Sequence, residues 1–374
     1  MKKTNIEPYI ATYLHQKGRK LGLPIAGNFE LTARCNFRCP MCYVHMDADA
    51  VDAQGGELTA DEWLSIATAA QKKGMLFALL TGGEPLVRKD FFEIYDGMKK
   101  LGLMISINSN GSLLHGDVLK RFLKDPPCRF NISLYGGCDA TYQKMCGIPV
   151  YNEVKENIRA LRKAGVPVSL NLSITQFNCQ DLEQIYRDAV ELDVNVKASA
   201  YMYPPIRTND EQYGTGTRLS AEEAAEMTVA WDKLRLTPED FVERTKKMGQ
   251  LIDDCCDSCS METDDGVPCR AGSSSFWVTW QGKMLPCGML TSPAVYPLES
   301  GFDAAWEELM QKTREIRMPA GCVNCSYRNV CGVCPAVCYT ETGHFDCSPD
   351  YMCRKTKHQV NLMRAFEKEV SKES

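Results

Sequence analysis

Cys35, Cys39 and Cys42 stand in Cys-x3-Cys-x2-Cys spacing within Ala33-Arg34-Cys35-Asn36-Phe37-Arg38-Cys39-Pro40-Met41-Cys42-Tyr43, directly after a short apolar run with Phe29 and Leu31. Three thiolates on one tight loop hold three irons of a 4Fe–4S cubane, which normally takes four Cys. The fourth iron is left open, and an open iron binds a small molecule that chelates through an amine and a carboxylate. The bland alternative is zinc. Zinc takes four closed ligands, commonly from Cys-x2-Cys pairs, and no fourth local ligand stands near Cys42. A disulfide reading is weaker, since 19 Cys is odd and no secretory signal precedes them.

Three further motifs follow in order at the ends of strand-like runs. Thr81-Gly82-Gly83-Glu84-Pro85 comes after Met75 to Leu80, Ser109-Asn110-Gly111 after Leu103 to Ile107, and Ile132-Ser133-Leu134 ends a fourth run. Paired glycines suit a place where backbone approaches a ligand closely. Together with the cysteine loop, these motifs resemble the radical S-adenosylmethionine (SAM) superfamily. The resemblance implies that Cys35, Cys39 and Cys42 hold the cluster and that Tyr43 is the aromatic of the same pattern. It implies that Gly82, Gly83, Glu84 and Pro85 meet the SAM amino group. Ser109 and Asn110 would form the third-strand motif, and Ser133 would reach the SAM ribose or carboxylate. The implied chemistry is reductive cleavage of SAM to methionine and a 5′-deoxyadenosyl radical, which takes hydrogen from an unactivated C–H.

The elements that must position these motifs are legible as alternation. Strand candidates are 28–32, 75–80, 103–108, 129–134, 167–174 and 195–200, each short and apolar, as buried parallel strands are. Thr59-Ala60-Asp61-Glu62 reads as a capping box opening a helix, and 151–164 and 181–192 are amphipathic at helical spacing. The fold class expected is α/β: a partial (β/α)6 barrel of the radical SAM type with a C-terminal auxiliary iron–sulfur domain. Functional groups of parallel strands lie at their C-terminal ends, where the motifs fall. The expected division is an N-terminal extension 1–26, the barrel 27–200, a helical bridge 201–254, a cysteine-rich domain 255–353, and a C-terminal helix 354–374 packed back on the barrel. Tyr201 and Tyr203 are expected to cover the barrel mouth.

At 374 residues and net charge −5, the chain suits one large domain plus a smaller one and gives no footprint for nucleic acid. No run of about 18 apolar residues marks a membrane span. Nineteen Cys without an export signal point to metal–sulfur chemistry in a reducing cytoplasm, in an anaerobic host.

Twelve of those Cys fall between 255 and 353. The order is Cys269-x12-Gly282-x4-Cys287, then Cys322-x2-Cys325-x5-Cys331-x2-Cys334-x3-Cys338, then Cys353. This is similar to the SPASM extension of radical SAM enzymes, which carries two auxiliary 4Fe–4S clusters. It departs from that pattern after Cys331, where either Cys334 or Cys338 takes the place. The resemblance implies one site of Cys269, Cys287, Cys334 and an upstream Cys, assigned to Cys259 with Cys255 and Cys256 also within reach. It implies a second site of Cys322, Cys325, Cys331 and Cys353. Gly282 reads as a hairpin turn that brings flanking Cys together. A zinc ribbon is the competing reading. Cys138 and Cys146 flank Tyr142 near the expected mouth and are the weak candidates for a catalytic thiol; packing is the plainer role.

The SPASM resemblance implies a peptide or protein substrate, by thioether or other cross-link or by oxidation. Gly288 stands where the sulfatase-maturing branch has an acidic residue, which argues against that branch. Some 26 residues precede the barrel, so a leader peptide is expected to need either a separate leader-binding protein or a direct contact. The alternatives are dehydrogenation or oxidation of a small molecule or protein side chain, including a haem-related one, and a non-catalytic iron–sulfur or zinc protein. Flavodoxin or ferredoxin is the expected reductant.

Overall fold

The computed structural model describes residues 7–207, 216–257 and 265–373. Six strands alternate with helices in roughly the N-terminal half. They are β1 (Ala26–Glu30), β2 (Phe77–Thr81), β3 (Met104–Ser109), β4 (Arg129–Ser133), β5 (Val168–Ser173) and β6 (Asn195–Ser199). Every neighbouring pair among them is parallel. The helices in this stretch are α1 (Glu7–Leu21), α2 (Ala48–Ala53), α3 (Ala60–Lys72), α4 (Phe91–Lys100), α5 (Gly116–Lys124), α6 (Asp139–Cys146), α7 (Tyr151–Lys163) and α8 (Leu182–Glu191). The capping box holds: the Thr59 hydroxyl accepts from the Glu62 N–H, and the Glu62 carboxylate accepts from the Thr59 N–H at 2.8 Å.

The strands are less uniformly apolar than buried parallel strands usually are, and the register shows why. Phe29, Leu80, Ile107 and Ile132 face the helices, with Phe29 edge-on to Trp63 at 5.9 Å. The intervening residues Asn28, Glu30, Thr81, Asn108, Asn131 and Ser133 share the opposite, lumen face. They form a polar ladder: Asn131 Nδ2 donates to Asn108 Oδ1 at 2.9 Å, and Asn108 Nδ2 to Thr81 Oγ1 at 3.2 Å. The alternation therefore encodes a polar cavity inside an apolar wall.

The sheet extends further than the six expected strands. After α9 (Ala221–Arg235) and α10 (Pro238–Asp257) come β7 (Ser275–Val278) and β8 (Met284–Leu285). These form the expected antiparallel hairpin, but β7 also pairs parallel with β1, so the strand order is β6-β5-β4-β3-β2-β1-β7-β8. The N-terminal residues also do more than extend the chain. His15 on α1 stacks on Phe77 and bonds Ser274 Oγ at 2.9 Å, which fixes α1 against the sheet. The C-terminal helices are α11 (Pro297–Ser300), α12 (Phe302–Arg314), α13 (Ala320–Val323), α14 (Pro335–Thr342) and α15 (Asp350–Glu373). The last of these was expected on the barrel. It lies mainly along α9 and α10 instead, where Val360 and Met363 join Val229, Phe241, Met248 and Ile252 in a separate small core.

Candidate functional site: three groups of thiols

The loop after β1 carries Cys35, Cys39 and Cys42, and buried polar residues brace it. Asn110 Nδ2 donates to Cys35 Sγ at 3.8 Å and to Asn36 Oδ1 at 2.8 Å. Arg88, almost fully buried, donates to the carbonyls of Leu31 (2.8 Å) and Leu58 (2.9 Å) and pairs with Glu57, which also holds Arg34. Such bonds to charged donors, out of water, fix a loop that has no regular structure of its own.

The GGEP and Ser-Asn-Gly motifs meet at one carboxylate. Glu84 accepts from Ser109 Oγ at 3.1 Å, from the Asn110 N–H at 2.7 Å and from the Leu86 N–H at 3.1 Å. Burial pushes its carboxyl up to about 7 against these three bonds. The glycines are demanded by space. A Cβ on Gly82, at φ +145°, would lie 2.3 Å from the Thr32 carbonyl oxygen, and one on Gly83 would lie 2.4 Å from that of Arg34. Pro85 opens the short helical turn after Glu84. Ser133 ends β4, with the Tyr135 hydroxyl bonded to its side chain.

The charge state of the triad suits an iron cluster. Burial raises the Cys42 thiol to about 12 and raises that of Cys35; a hydrogen bond with Cys146, and then burial, raises that of Cys39. A metal cluster bound here would favour the thiolate forms that burial disfavours. The triad, Asn110 and the glycine cradle therefore fit such a group. Among the described residues, no three His, Cys, Asp or Glu side chains converge on a single metal ion.

Cys146 is buried and shares a hydrogen bond with Cys39, whereas Cys138 is exposed at the N-cap of α6, with Thr141 Oγ1 at 3.5 Å. Of the two, only Cys146 is thus placed against the triad by a bond.

The C-terminal Cys gather in two places. Cys269, Cys287 and Cys334 lie near enough to influence one another; burial, with the neighbouring thiols adding to it, raises Cys287 to about 11. Tyr203 shares a hydrogen bond with Cys334. Cys322, Cys325, Cys331 and Cys353 line a cavity of about 50 Å³. Cys338, one helical turn beyond Cys334, is buried near both Cys334 and Cys322. Of the upstream choices, Cys259 lies outside the described residues. Cys255 and Cys256 fall in α10, where their side chains are likewise outside them.

Between the triad and Cys287 sits a pair that the sequence reading missed. Glu30, 1% exposed, is ion-paired with Arg207 and accepts from Trp277 Nε1 at 2.9 Å. Arg207 N–H also donates to the Tyr43 carbonyl at 3.1 Å. Burial raises the Glu30 carboxyl against the pull of Arg207. The Trp277 ring lies 2.8 Å from where a Cβ on Gly288 would stand, so no side chain fits there unless the ring moves. Changing Glu30 to Ala strands a buried guanidinium and is expected to cost about 3–5 kcal/mol of stability, read by anaerobic urea denaturation. Below the pair, a cavity of about 670 Å³ runs past Asn28, Asn108 and Trp277 to His15 and Cys269. That volume admits a substantial organic substrate.

Comparison with known proteins supplies the remaining findings. Residues 29–189 match the Radical SAM superfamily. The chain is 28% identical over 330 residues to a protein of Methanosarcina barkeri named AdoMet-dependent heme synthase, covering 85% of this chain and 93% of that one. It is 26% identical over 322 residues to the PqqA peptide cyclase of Streptomyces rochei, covering 84% and 82%. The crystal structure of Streptococcus suis SuiB bound to precursor peptide SuiA superposes with a TM-score of 0.65 at 15% identity, over 94% of this chain and 82% of that one. That likeness extends the shared fold through the cysteine-rich C-terminal region.

Proposed function

We infer, from the premise that residues 29–189 of this chain are a radical SAM domain, that the protein is a radical SAM enzyme that modifies a peptide. The observation that carries this is the joining of three motifs at one point. Glu84 ties the glycine cradle to Ser109 and Asn110, and Asn110 in turn holds Cys35. Bound there, an open-iron 4Fe–4S cluster with SAM supplies one-electron cleavage to a radical that abstracts hydrogen. Gly82 and Gly83 leave backbone open to the SAM amino group, with Tyr43 and Ser133 as its further contacts. The polar ladder of Thr81, Asn108 and Asn131 orients the substrate in the lumen.

Two auxiliary 4Fe–4S clusters belong to the same proposal. One is held by Cys269, Cys287, Cys334 and one of Cys255, Cys256 or Cys259, the other by Cys322, Cys325, Cys331 and Cys353. The gathering of each thiol group supports this, and the influence of Cys334 on Cys287 favours Cys334 for the first site. An external reductant such as flavodoxin or ferredoxin, a separate leader-binding protein and a cytoplasmic setting complete the reading. Among the described residues, no helix is long and apolar enough to cross a membrane.

The peptide is favoured by the relative named PqqA peptide cyclase, matched over most of both chains. A second reading, haem formation or a related small-molecule oxidation, is favoured by the relative named AdoMet-dependent heme synthase. The test is anaerobic reduction of the iron-loaded protein with SAM, measuring 5′-deoxyadenosine. Stimulation by a short peptide encoded beside the gene supports peptide modification. Stimulation by a porphyrin instead selects the second reading, and no 5′-deoxyadenosine under any condition removes both.

A further inference from the structure

A second cavity, of about 340 Å³, lies at the β6 end of the sheet, where β6 meets α9, α10 and α15. β6 is the terminal strand of the sheet, so one of its edges has no strand partner among the described residues. The Ser199 carbonyl accepts from the Ile174 N–H at 2.8 Å. Alternate residues 195, 197 and 199 therefore turn their main-chain groups towards β5. Val196, Ala198 and Ala200 turn theirs outward, and all three line the cavity. An edge of this kind is a template for an added strand.

The cavity is also strongly cationic in a chain of net charge −5. Lys197, Arg235, Arg244 and Lys355 line it against one carboxylate, Asp232. Asp232 is already shared by Arg235 at 2.7 Å and Arg244 at 3.2 Å. Arg129 adds a further positive charge beside Lys197, and its Nε is buried with no hydrogen-bond partner among the described residues. Burial and that neighbour both disfavour the charged form of Lys197. Anions are in short supply here, and an incoming carboxylate relieves the repulsion.

We propose that this cavity docks an acidic, extended stretch of the peptide substrate, laid along β6 as an added strand with its carboxylates on Lys197 and Arg244. The proposal rests on the peptide reading above. Main-chain bonds to Val196, Ala198 and Ala200 give affinity without regard to sequence, and the cations select acidic side chains. Tyr201 and Trp231 provide apolar wall between them.

The probe is a fluorescein-labelled octapeptide of alternating Glu and Val, compared with its Lys and Val counterpart, on the full iron-loaded chain under anaerobic conditions. Fluorescence anisotropy is expected to show binding of the acidic peptide only. Lys197→Gln and Arg244→Gln are each expected to weaken it about tenfold, and added salt to weaken it further. Hydrogen exchange at 196–200 is expected to slow when the peptide binds. Equal binding of both peptides, or acidic-peptide affinity unchanged in both variants, overturns the proposal. So does full displacement by citrate with no exchange protection at 196–200, which would mark a small-anion site. 5′-Deoxyadenosine formation is measured on the same samples and is expected to be unchanged in both variants. Its absence from the wild type would count against the radical SAM reading, while the anisotropy would still decide the docking site.

Discussion

Replacing Cys35, Cys39 or Cys42 with Ala, one at a time, is expected to abolish 5′-deoxyadenosine formation and to lower bound iron from about twelve to about eight per chain. The loss is complete rather than graded because the loop offers few substitutes. Asn110 bonds Cys35, and Arg88 and Arg34 hold the loop through Glu57, so the backbone cannot slide to bring up another donor. Cys146 is the nearby thiol, bonded to Cys39, and Cys146→Ala serves as the control: its iron is expected to stay near that of the wild type. Iron is read by colorimetric assay after anaerobic reconstitution, and the nucleoside by chromatography. A Cys35→Ala protein that keeps both its iron and its turnover would sink the assignment of the loop. The eight remaining irons also report on the auxiliary sites, since zinc in the C-terminal thiols would leave almost none.

The second large effect is expected at the glycine cradle. Gly83→Ala places a methyl group 2.4 Å from the Arg34 carbonyl oxygen and 2.8 Å from that of Ala33. Both contacts are backbone, one residue and two residues before Cys35, so no side-chain rotation relieves them. Gly82→Ala is as crowded, 2.3 Å from the Thr32 carbonyl oxygen, and adds a positive φ that an L side chain resists. Either change must push the GGEP segment away from the cluster loop. SAM affinity is expected to fall at least about a hundredfold, or roughly 2.7 kcal/mol, by equilibrium dialysis. Cluster content should fall less, because the thiols themselves are untouched. Wild-type SAM affinity in Gly83→Ala would show that this backbone does not meet the ligand.

The cluster loop was legible because its information is local: three Cys within eight residues, followed by an aromatic. The Glu84 bridge was half legible. Its motif was plain, but its partners Ser109 and Asn110 lie 25 and 26 residues away on the next strand. Glu30 and Arg207 were missed because 177 residues separate them, and neither sits in a motif. A lone Glu at the end of an apolar run gives no sign of which distant cation will cover it. The same limit hid the pairing of β7 with β1. Hairpin chemistry around Gly282 revealed the antiparallel partner only a few residues away, whereas the parallel partner lies some 250 residues back, as in Asn28 with Trp277. α1 was passed over because its surface is mostly polar and its anchor, His15 on Ser274, also crosses the whole chain. The spacing after Cys331 leaves Cys334 and Cys338 open, because it does not say which of two thiols one helical turn apart meets a hairpin some 50 residues back.

The parallel seam between β1 and β7 makes the cysteine-rich region a shared wall of the reaction chamber rather than an appended cassette. Ser275 through Val278 complete the hydrogen bonding of the strand that leads into the Cys35, Cys39 and Cys42 loop, and Trp277 from that seam touches Glu30. Severing the polypeptide ahead of β7 would expose an unzipped β1 and loosen the base of that loop.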